Sequence, residues 1–216
     1  MTSLLTSLLV GFPDQRPGGL LLSVLTGIGA AVCALGVGVL YATVCSAAPL
    51  LTLGLQGALA LMRGIPLLLL IFGLAQLTSL PLTASGFVAL TIYSLSHVGE
   101  TLRSYLAGYP RNLREQARLL TLSPPREWLI LRVPWTLRKS MDALGTHWIS
   151  LLKDTGALTV LGIGELTTVA RLLSEGASTS DWLLVLVLAA ALYLVAVLAV
   201  MRGLGAMKTY LAGKGM

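Results

Sequence analysis

The run from Trp182 to Met201 is the feature that most constrains this chain. Its 20 consecutive residues carry no charge, and a helix of that length rises about 30 Å, which matches the hydrocarbon core of a bilayer. The rest of the chain is similar in character, since 56% of the 216 residues are hydrophobic and only 11% are charged, with a mean hydropathy of +0.85. One soluble core of this length cannot bury so much apolar surface. The sequence therefore predicts an all-α integral membrane protein.

Four further apolar segments precede this run. We place them at Gly19 to about Thr43, at Ile65 to Leu80, at about Thr83 to Leu106, and at about Leu144 to Ile163. An additional apolar stretch, Leu50 to Leu61, is predicted to be an approach helix at the membrane surface, because Arg63 follows it and is costly at mid-bilayer. We therefore expect about five transmembrane helices in a single domain of residues 1–216, with a core of about 19–205.

The distribution of charge predicts the orientation in the membrane. Between Arg103 and Lys139 there are eight basic and two acidic residues. The tail adds Arg202, Lys208 and Lys214, whereas the segment between spans four and five carries Glu165, Glu175 and Asp181 against one basic residue, Arg171. Basic loops face the cytoplasm. We therefore expect a cytoplasmic C-terminus, an external N-terminus and an external position for Ser178. The net charge of +6 is explained by this asymmetry, and no nucleic-acid partner is predicted.

The charged segment of about residues 109–135 is predicted to form two short helices outside the bilayer core. Asn112 and Glu115 have the spacing of a capping box at the start of the first helix. That helix has an apolar face, Leu113, Ala117 and Leu120, and a basic stripe, Arg111, Arg114 and Arg118. Ser123–Pro125 breaks it and starts a second helix, Arg126–Val133. The pattern fits both a helix on anionic lipid and a helix docked to a protein.

Ionisable residues inside the predicted spans are candidates for a functional site. His97, Glu100 and Arg103 recur every third residue near the end of span three, and Lys153 and Asp154 lie inside span four. Pairing among themselves and contact with a transported solute are both open interpretations. No nucleophile with a nearby base is apparent, and we find no Cys, Asp or His cluster around His97 or His147. We expect no enzyme activity and no metal site.

The charged segment also contains a degraded form of a known signature, EAA, three residues, Gly, nine residues, then Ile, any residue, Leu and Pro. In that register the chain has Glu115-Gln116-Ala117, Thr121, Leu131, Val133 and Pro134. Three other segments are similar to motifs that accompany the signature in the same order, namely MRGIPLLLL from Met62, VGETLRSYLAGYP from Val98 and HWISLLKDTGAL from His147. The chain thereby resembles permease subunits of binding-protein-dependent ABC importers, in particular the polar amino acid branch.

The resemblance implies a type I ABC importer permease fold, with a cytoplasmic coupling (EAA) helix between spans three and four. Such a helix docks on a separate ATP-binding subunit. The resemblance assigns the coupling to the ATPase to the following residues: Arg114, Glu115, Gln116, Ala117, Arg118, Leu120, Thr121 and Pro134. Thr121 stands where the family has Gly, which turns at lower cost, and Pro124 and Pro125 leave open a shift of the turn by two or three residues.

The implied function is an ATP-driven importer of a polar amino acid in a bacterial inner membrane. Its partners would be an ABC ATP-binding subunit, a second permease copy or paralogue, an extracytoplasmic solute-binding protein and membrane lipid. This chain has no GxxxxGK[ST] loop, so we expect it to bind no cofactor, with ATP and magnesium on the partner ATPase. Candidates for the substrate pathway are His97, Glu100, Lys153, Asp154 and Thr155.

Other functions remain open at the level of sequence. One is an ABC importer for a different small polar solute. Another is a stand-alone secondary carrier, in which Glu100 or Asp154 titrates with a coupling proton. Transport without any ATP-binding subunit would distinguish such a carrier from an importer.

Overall fold

The computed structural model describes residues 2–14, 16–175 and 179–213, so Ser178 and Lys214 lie outside the described residues. Within these ranges the regular structure is helical, which confirms the all-α prediction. The α-helices are α1 (Thr2–Val10), α2 (Gly19–Ala47), α3 (Pro49–Gly64), α4 (Leu67–Leu77), α5 (Leu82–Ala107), α6 (Arg111–Leu119), α7 (Pro124–Glu127), α8 (Val133–Asp154), α9 (Leu166–Ser174) and α10 (Thr179–Gly213). A π-helical turn, Trp128–Arg132, joins α7 to α8, and a 3-10 helix, Thr155–Leu161, follows α8.

Three helices in the described part of the chain are long and apolar enough to cross a bilayer. They are α2, α5 and, within α10, Asp181–Tyr210. A fourth crossing is obtained if α3 and α4 are counted as one span broken by a bend of 102°. The crossing predicted from Ile65 to Leu80 is longer than the helix that forms there, because α4 has 11 residues and rises only about 16 Å. Pro66 precedes α4 and lacks the amide hydrogen that would continue α3.

The predicted fourth span, Leu144 to Ile163, differs from the helix that forms there. Helix α8 begins 11 residues earlier, at Val133, and ends at Asp154. Pro134 lies in its first turn, where a missing amide hydrogen costs no intrahelical bond. At the other end, the chain tightens into the 3-10 helix and stops at Gly162, whose φ of +69° glycine adopts without strain.

Helices α2 and α5 lie side by side and run in the same direction. Gly38 of α2 faces Val98 of α5, where an added Cβ atom would be 3.1 Å from the valine side chain. Three residues further along α2 and two further along α5, the Tyr41 hydroxyl donates to Glu100 Oε2 at 3.4 Å. Glycine at Gly38 therefore permits a close approach of the two helices, as small residues do within membranes.

Helix α8 runs in the opposite direction to these two helices. Its C-terminal end meets the N-terminal half of α2, since a Cβ atom at Gly27 would lie 3.3 Å from the Leu152 side chain. Its N-terminal half meets the C-terminal end of α10, where Lys208 Nζ is 2.7 Å from Asp142 Oδ1. Helix α10 is therefore parallel to α2 and α5.

A buried apolar cluster holds α2, α4, α5 and α8 together. Its members are Ala30, Ala31, Ile71, Ala89, Leu90, Leu151, Leu158 and Ile163. At the end of α4, the Thr78 hydroxyl lies 3.4 Å from the Ser85 hydroxyl at the start of α5, so these two helices are antiparallel. The outward side of α3 is apolar and exposed, with Leu50 97% and Leu53 80% exposed.

Candidate functional site

The charged segment forms an elbow, defined here as α6, the turn after it, α7 and the π-helical turn that enters α8. Helix α6 begins at Arg111 after Pro110, and no side chain caps it. The predicted capping box of Asn112 and Glu115 is therefore wrong. Both residues are exposed and already lie inside the helix, because Pro110, with φ of −61° and ψ of 137°, provides the extended residue that starts it.

The turn of the elbow lies at Thr121, where the family signature has Gly. The Thr121 amide donates to the Arg118 carbonyl at 2.9 Å, and the Leu122 amide donates to the Ala117 carbonyl at 3.1 Å. This pair of bonds is a Schellman motif, which places Thr121 in the left-handed region with φ of +52°. The turn is thus not shifted toward Pro124 and Pro125, which instead begin α7.

We expect Thr121→Gly to stabilise the elbow by about 0.5–1 kcal/mol, because glycine removes the Cβ strain of a left-handed β-branched residue. Leu120→Gly is the matched control. Leu120 has φ of −79°, so glycine there only adds flexibility and should destabilise by about 0.5–1 kcal/mol. Amide hydrogen exchange of residues 116–122 measures both effects. Faster exchange in Thr121→Gly would contradict the assignment of strain to this turn.

The returning limb of the elbow is continuous with α8. We predicted a second helix over Arg126–Val133, but α7 starts at Pro124 and the chain remains helical through the π-helical turn into α8. The Val133 amide bonds to the Trp128 carbonyl, five residues back. Pro134 explains this wider turn, because its ring has no amide hydrogen and displaces the carbonyl four residues earlier. Movement of α7 is therefore transmitted directly to α8.

An ionic and aromatic cluster fixes the elbow to the end of α5. Arg132 Nε donates to Glu127 Oε1 at 2.8 Å, and the Glu127 residue is only 8% exposed. The guanidinium lies 5.6 Å from the ring centroid of Tyr109, and the Tyr109 ring meets Trp135 edge-on at 5.4 Å. Burial, together with the nearby Glu127 carboxylate, raises the pKa of Tyr109, so its phenol stays neutral. The sequence reading missed this cluster, since its members are dispersed over 27 positions.

Most of the predicted coupling residues lie on the open side of the elbow. Arg114, Glu115, Gln116, Arg118, Leu120 and Thr121 are exposed, Pro134 is half-buried and Ala117 is buried. The predicted apolar face of α6 is thus divided, because Ala117 packs inward and is 1% exposed, whereas Leu120 is 67% exposed. Exposed Leu119 and Leu120 beside basic side chains give the elbow an amphipathic outer surface.

Within the helical bundle, Glu100 and Arg103 form the ion pair that the sequence left open. Arg103 donates to both carboxylate oxygens of Glu100, with Nε 3.0 Å from Oε2. The Tyr41 hydroxyl adds a third donor to this carboxylate. The Gln56 amide, with its oxygen turned toward the guanidinium, accepts from Arg103 Nε and Nη1 at 3.0 Å. The group thus links α2, α3 and α5.

His97 and His147 form a cluster that the sequence reading excluded. Their ring centroids lie 5.0 Å apart, and the Tyr93 ring lies 5.1 Å from His97. His147 Nε2 is 3.0 Å from the Ser94 hydroxyl. The expectation of isolated histidines is therefore wrong, because antiparallel packing of α5 on α8 brings together residues 50 positions apart.

The remaining pathway candidates lie at another depth in the bundle. Lys153 is exposed, Asp154 is half-buried, and the fully buried Thr155 donates to the Leu152 carbonyl at 2.7 Å. Thr155 lies beside Gly27 of α2, whereas Glu100 lies beside Tyr41 of the same helix. Fourteen residues of α2 separate these levels, or about 21 Å along its axis. The structure thus does not bring all five candidates into one site.

Glu165 is a buried polar residue whose environment the sequence did not reveal. Counted above as an acid of an external segment, it is fully buried at the start of α9. Its carboxylate accepts from the Thr167 and Thr168 amides, both at 2.8 Å. The Tyr193 hydroxyl donates to it at 3.1 Å, the Ser23 hydroxyl at 3.3 Å, and the Thr168 hydroxyl at 3.2 Å. The carboxylate therefore joins α2, α9 and α10.

Comparison with curated proteins gives similarity to amino acid permeases, while no family model matches the chain. The chain is 32% identical over 137 residues to a probable glutamine ABC transporter permease protein, GlnP, of Bacillus subtilis, covering 61% of this chain and 63% of that protein. It is 29% identical over 128 residues to the arginine ABC transporter permease protein ArtQ of Haemophilus influenzae, covering 53% and 58%. The matches thus span about three fifths of these relatives.

Solved structures with a similar fold cover nearly the whole chain. A crystal structure of an amino acid ABC transporter with histidines has a TM-score of 0.68 at 23% identity, covering 88% of this chain and 94% of that one. The MetNI methionine ABC transporter, in an inward-facing conformation, has a TM-score of 0.71 at 19% identity, covering 89% and 92%. These comparisons establish the fold and confirm the resemblance to amino acid ABC permeases.

Proposed function

We propose that this chain, similar in sequence to amino acid ABC permeases and alike in fold to ABC importer membrane subunits, is the permease subunit of an ATP-driven amino acid importer. The observation that carries the proposal is the elbow between α5 and α8. Its outer side is exposed, one end continues as helix into α8, and the other is joined to α5 by only three residues, 108–110. We assign ATP hydrolysis, with its ATP and magnesium, to a separate ATP-binding subunit. This chain is then not an enzyme and binds no cofactor of its own.

The elbow suits the transmission of a subunit movement to the bundle. The Tyr109 and Glu127–Arg132 cluster holds its base on α5, and the continuous helix from α7 into α8 connects its other limb. A movement of the elbow that displaces α7 would therefore be passed to α8 along a continuous helix. We assign docking contacts to the exposed coupling residues, Arg114, Glu115, Gln116, Arg118, Leu120 and Thr121. Buried Ala117 and half-buried Pro134 support them from within.

Helix direction supports five passages through the bilayer in a single domain of residues 1–216. Helices α2, α5 and α10 run one way, whereas α8 and the α4 part of the broken α3–α4 span run the other. Five alternating passages place the elbow, which lies within the predicted cytoplasmic segment of about residues 109–135, and the end of α10 on one side. The elbow is rich in arginine, so that side is the cytoplasm and the N-terminus is external. The location is a bacterial inner membrane.

The substrate pathway is assigned to the polar groups inside the bundle. His97 with His147, the Glu100 pair and the Lys153–Thr155 segment lie at successive depths. Paired charges at membrane depth can accept the ammonium and carboxylate of an amino acid in turn. A second permease copy or paralogue would complete the pathway, and an external solute-binding protein would deliver the substrate.

One reconstitution experiment tests the function and the orientation together. We expect amino acid uptake into proteoliposomes only when the permease is combined with an ABC ATP-binding subunit. ATP should support uptake only when it is present on the side of the membrane where an impermeant thiol reagent labels Arg118→Cys. Glu175→Cys should be labelled from the opposite side. Uptake by the permease alone would establish a secondary carrier instead. Labelling of both cysteines from one side would overturn the five-passage orientation.

A further inference from the structure

A polar cavity of about 300 Å³ lies where the elbow meets the ends of α2, α3 and α5. Three arginines line it, each from a different part of the chain. Arg103 comes from α5, Arg114 from α6 and Arg132 from the π-helical turn. The hydroxyl-bearing residues Ser46 and Thr52 complete the polar wall. We refer to it as the three-arginine cavity.

Two of these guanidinium groups are held in place with donors to spare. Arg103 is fixed by Glu100 and Gln56, and Arg132 is fixed by Glu127 through Nε. Since a guanidinium has five N–H donors, the bond through Nε leaves both terminal nitrogens of Arg132 outside the Glu127 pair. Among the described residues, no carboxylate forms an ion pair with Arg114. Three positive charges thus face two carboxylates, which leaves the cavity with a surplus of positive charge.

We infer that the three-arginine cavity binds a phosphate-bearing anion. The planar fork of arginine matches the oxygens of a phosphate with two parallel hydrogen bonds, and the volume is comparable to that of small-ligand sites. The surroundings favour the phosphate of an anionic lipid over a free one. Leu50 and Leu53 flank Thr52 on α3 and are 97% and 80% exposed, so an apolar surface for acyl chains adjoins the polar wall.

An anion in this cavity would tie the elbow to the helical bundle. Arg114 and Arg132 belong to the elbow, whereas Arg103, Ser46 and Thr52 belong to α5, α2 and α3. The inference goes beyond the proposed transport function and does not depend on it, because binding is a property of this chain alone. In an importer, binding of the anion would change how strongly movements of the elbow are coupled to movements of α5.

The test uses the full chain purified in detergent, with thermal unfolding midpoints as the readout. Mixed micelles with phosphatidylglycerol are compared with phosphatidylcholine, and inorganic phosphate is titrated separately at constant ionic strength. We expect phosphatidylglycerol to raise the midpoint and phosphatidylcholine not to. In Arg114→Gln the concentration of phosphatidylglycerol that gives half of the stabilisation should rise about tenfold, as expected for loss of one charge-assisted contact. The matched control, Arg111→Gln, removes the same charge from α6 outside the cavity and should change it less than about twofold.

The outcomes separate the two sources of phosphate. Stabilisation by phosphatidylglycerol with no effect of inorganic phosphate supports a lipid headgroup. Stabilisation by both, with the same sensitivity to Arg114→Gln, supports a site for phosphate itself. An equal response of Arg114→Gln and Arg111→Gln would overturn the inference, as would the absence of stabilisation by either anion.

Discussion

Replacing Glu165 by alanine is expected to lower the free energy of unfolding by about 3–5 kcal/mol, since the change leaves several buried donors without an acceptor. The carboxylate accepts from the Thr167 and Thr168 amides and from the hydroxyls of Ser23 and Tyr193. It also caps α9, so the first turn of that helix loses its side-chain acceptor. Glu165 has no exposed surface, so the donors that lose their acceptor are buried groups rather than solvated ones.

Two further variants separate the buried network from a general loss of charge. Glu165→Gln keeps one acceptor oxygen and should cost about 1–3 kcal/mol. Glu175→Ala removes a carboxylate beside the end of the same helix, where an exposed pair with Arg171 at 2.7 Å contributes little, and should cost less than about 0.5 kcal/mol. Denaturant titration in mild detergent measures all three. Equal stability of Glu165→Ala and Glu175→Ala would refute the structural role of the buried carboxylate.

Charge reversal at Glu115 is expected to reduce ATP-driven transport at least tenfold while leaving the permease folded. Glu115 is exposed on α6, so lysine there meets solvent in the isolated chain. In the proposed complex it would place an unmatched positive charge in the docking interface, at a cost of several kcal/mol. Transport and ATP hydrolysis by the reconstituted complex are measured together. We expect either ATP hydrolysis without transport, or a fall in both rates because the ATP-binding subunit no longer binds the permease.

The control for this prediction is Asn112→Lys, which adds a lysine to an exposed position of the same helix outside the proposed contacts. It should retain more than about half of the transport rate. Ala117→Asp is less informative, because Ala117 is 1% exposed and a buried aspartate would also disrupt the elbow itself. Normal transport by Glu115→Lys would remove α6 from the docking interface.

Hydropathy located the long helices well but not their ends. Trp182–Met201 lies within α10 and Gly19–Thr43 lies within α2, because a bilayer-length apolar run has few other structures available. Helix α8 was misplaced because Arg138, Lys139 and Asp142 resemble loop residues. In the structure they belong to its first half, where Asp142 pairs with Lys208.

The polar contacts were harder to predict, since they depend on how distant helices pack. The spacing of Glu100 and Arg103 predicted a pair within one helix, and that pair forms. Nothing local in the sequence indicated that His97 would meet His147 or that Glu165 would be buried. At Thr121 the sequence predicted a turn costlier than one with Gly and left open a shift toward Pro124 and Pro125. The turn stays at Thr121, because the hydrogen bonds of the Schellman motif maintain its left-handed conformation.

The span of the Glu165 contacts along the chain bears on how the protein is assembled. Ser23 precedes Glu165 by 142 residues and Tyr193 follows it by 28. Ribosomes synthesise a chain from its N-terminus at about 5–20 residues per second. Helix α2 is therefore made several seconds before the residues that form its polar contacts. During that interval the Ser23 hydroxyl lacks Glu165 as an acceptor, whereas the Gly19 carbonyl of its own helix, 3.4 Å away in the folded chain, is already present. The last step of assembly around Glu165 is then the arrival of α10, and truncation before Tyr193 would leave the carboxylate bonded to α2 and α9 but without its donor from α10.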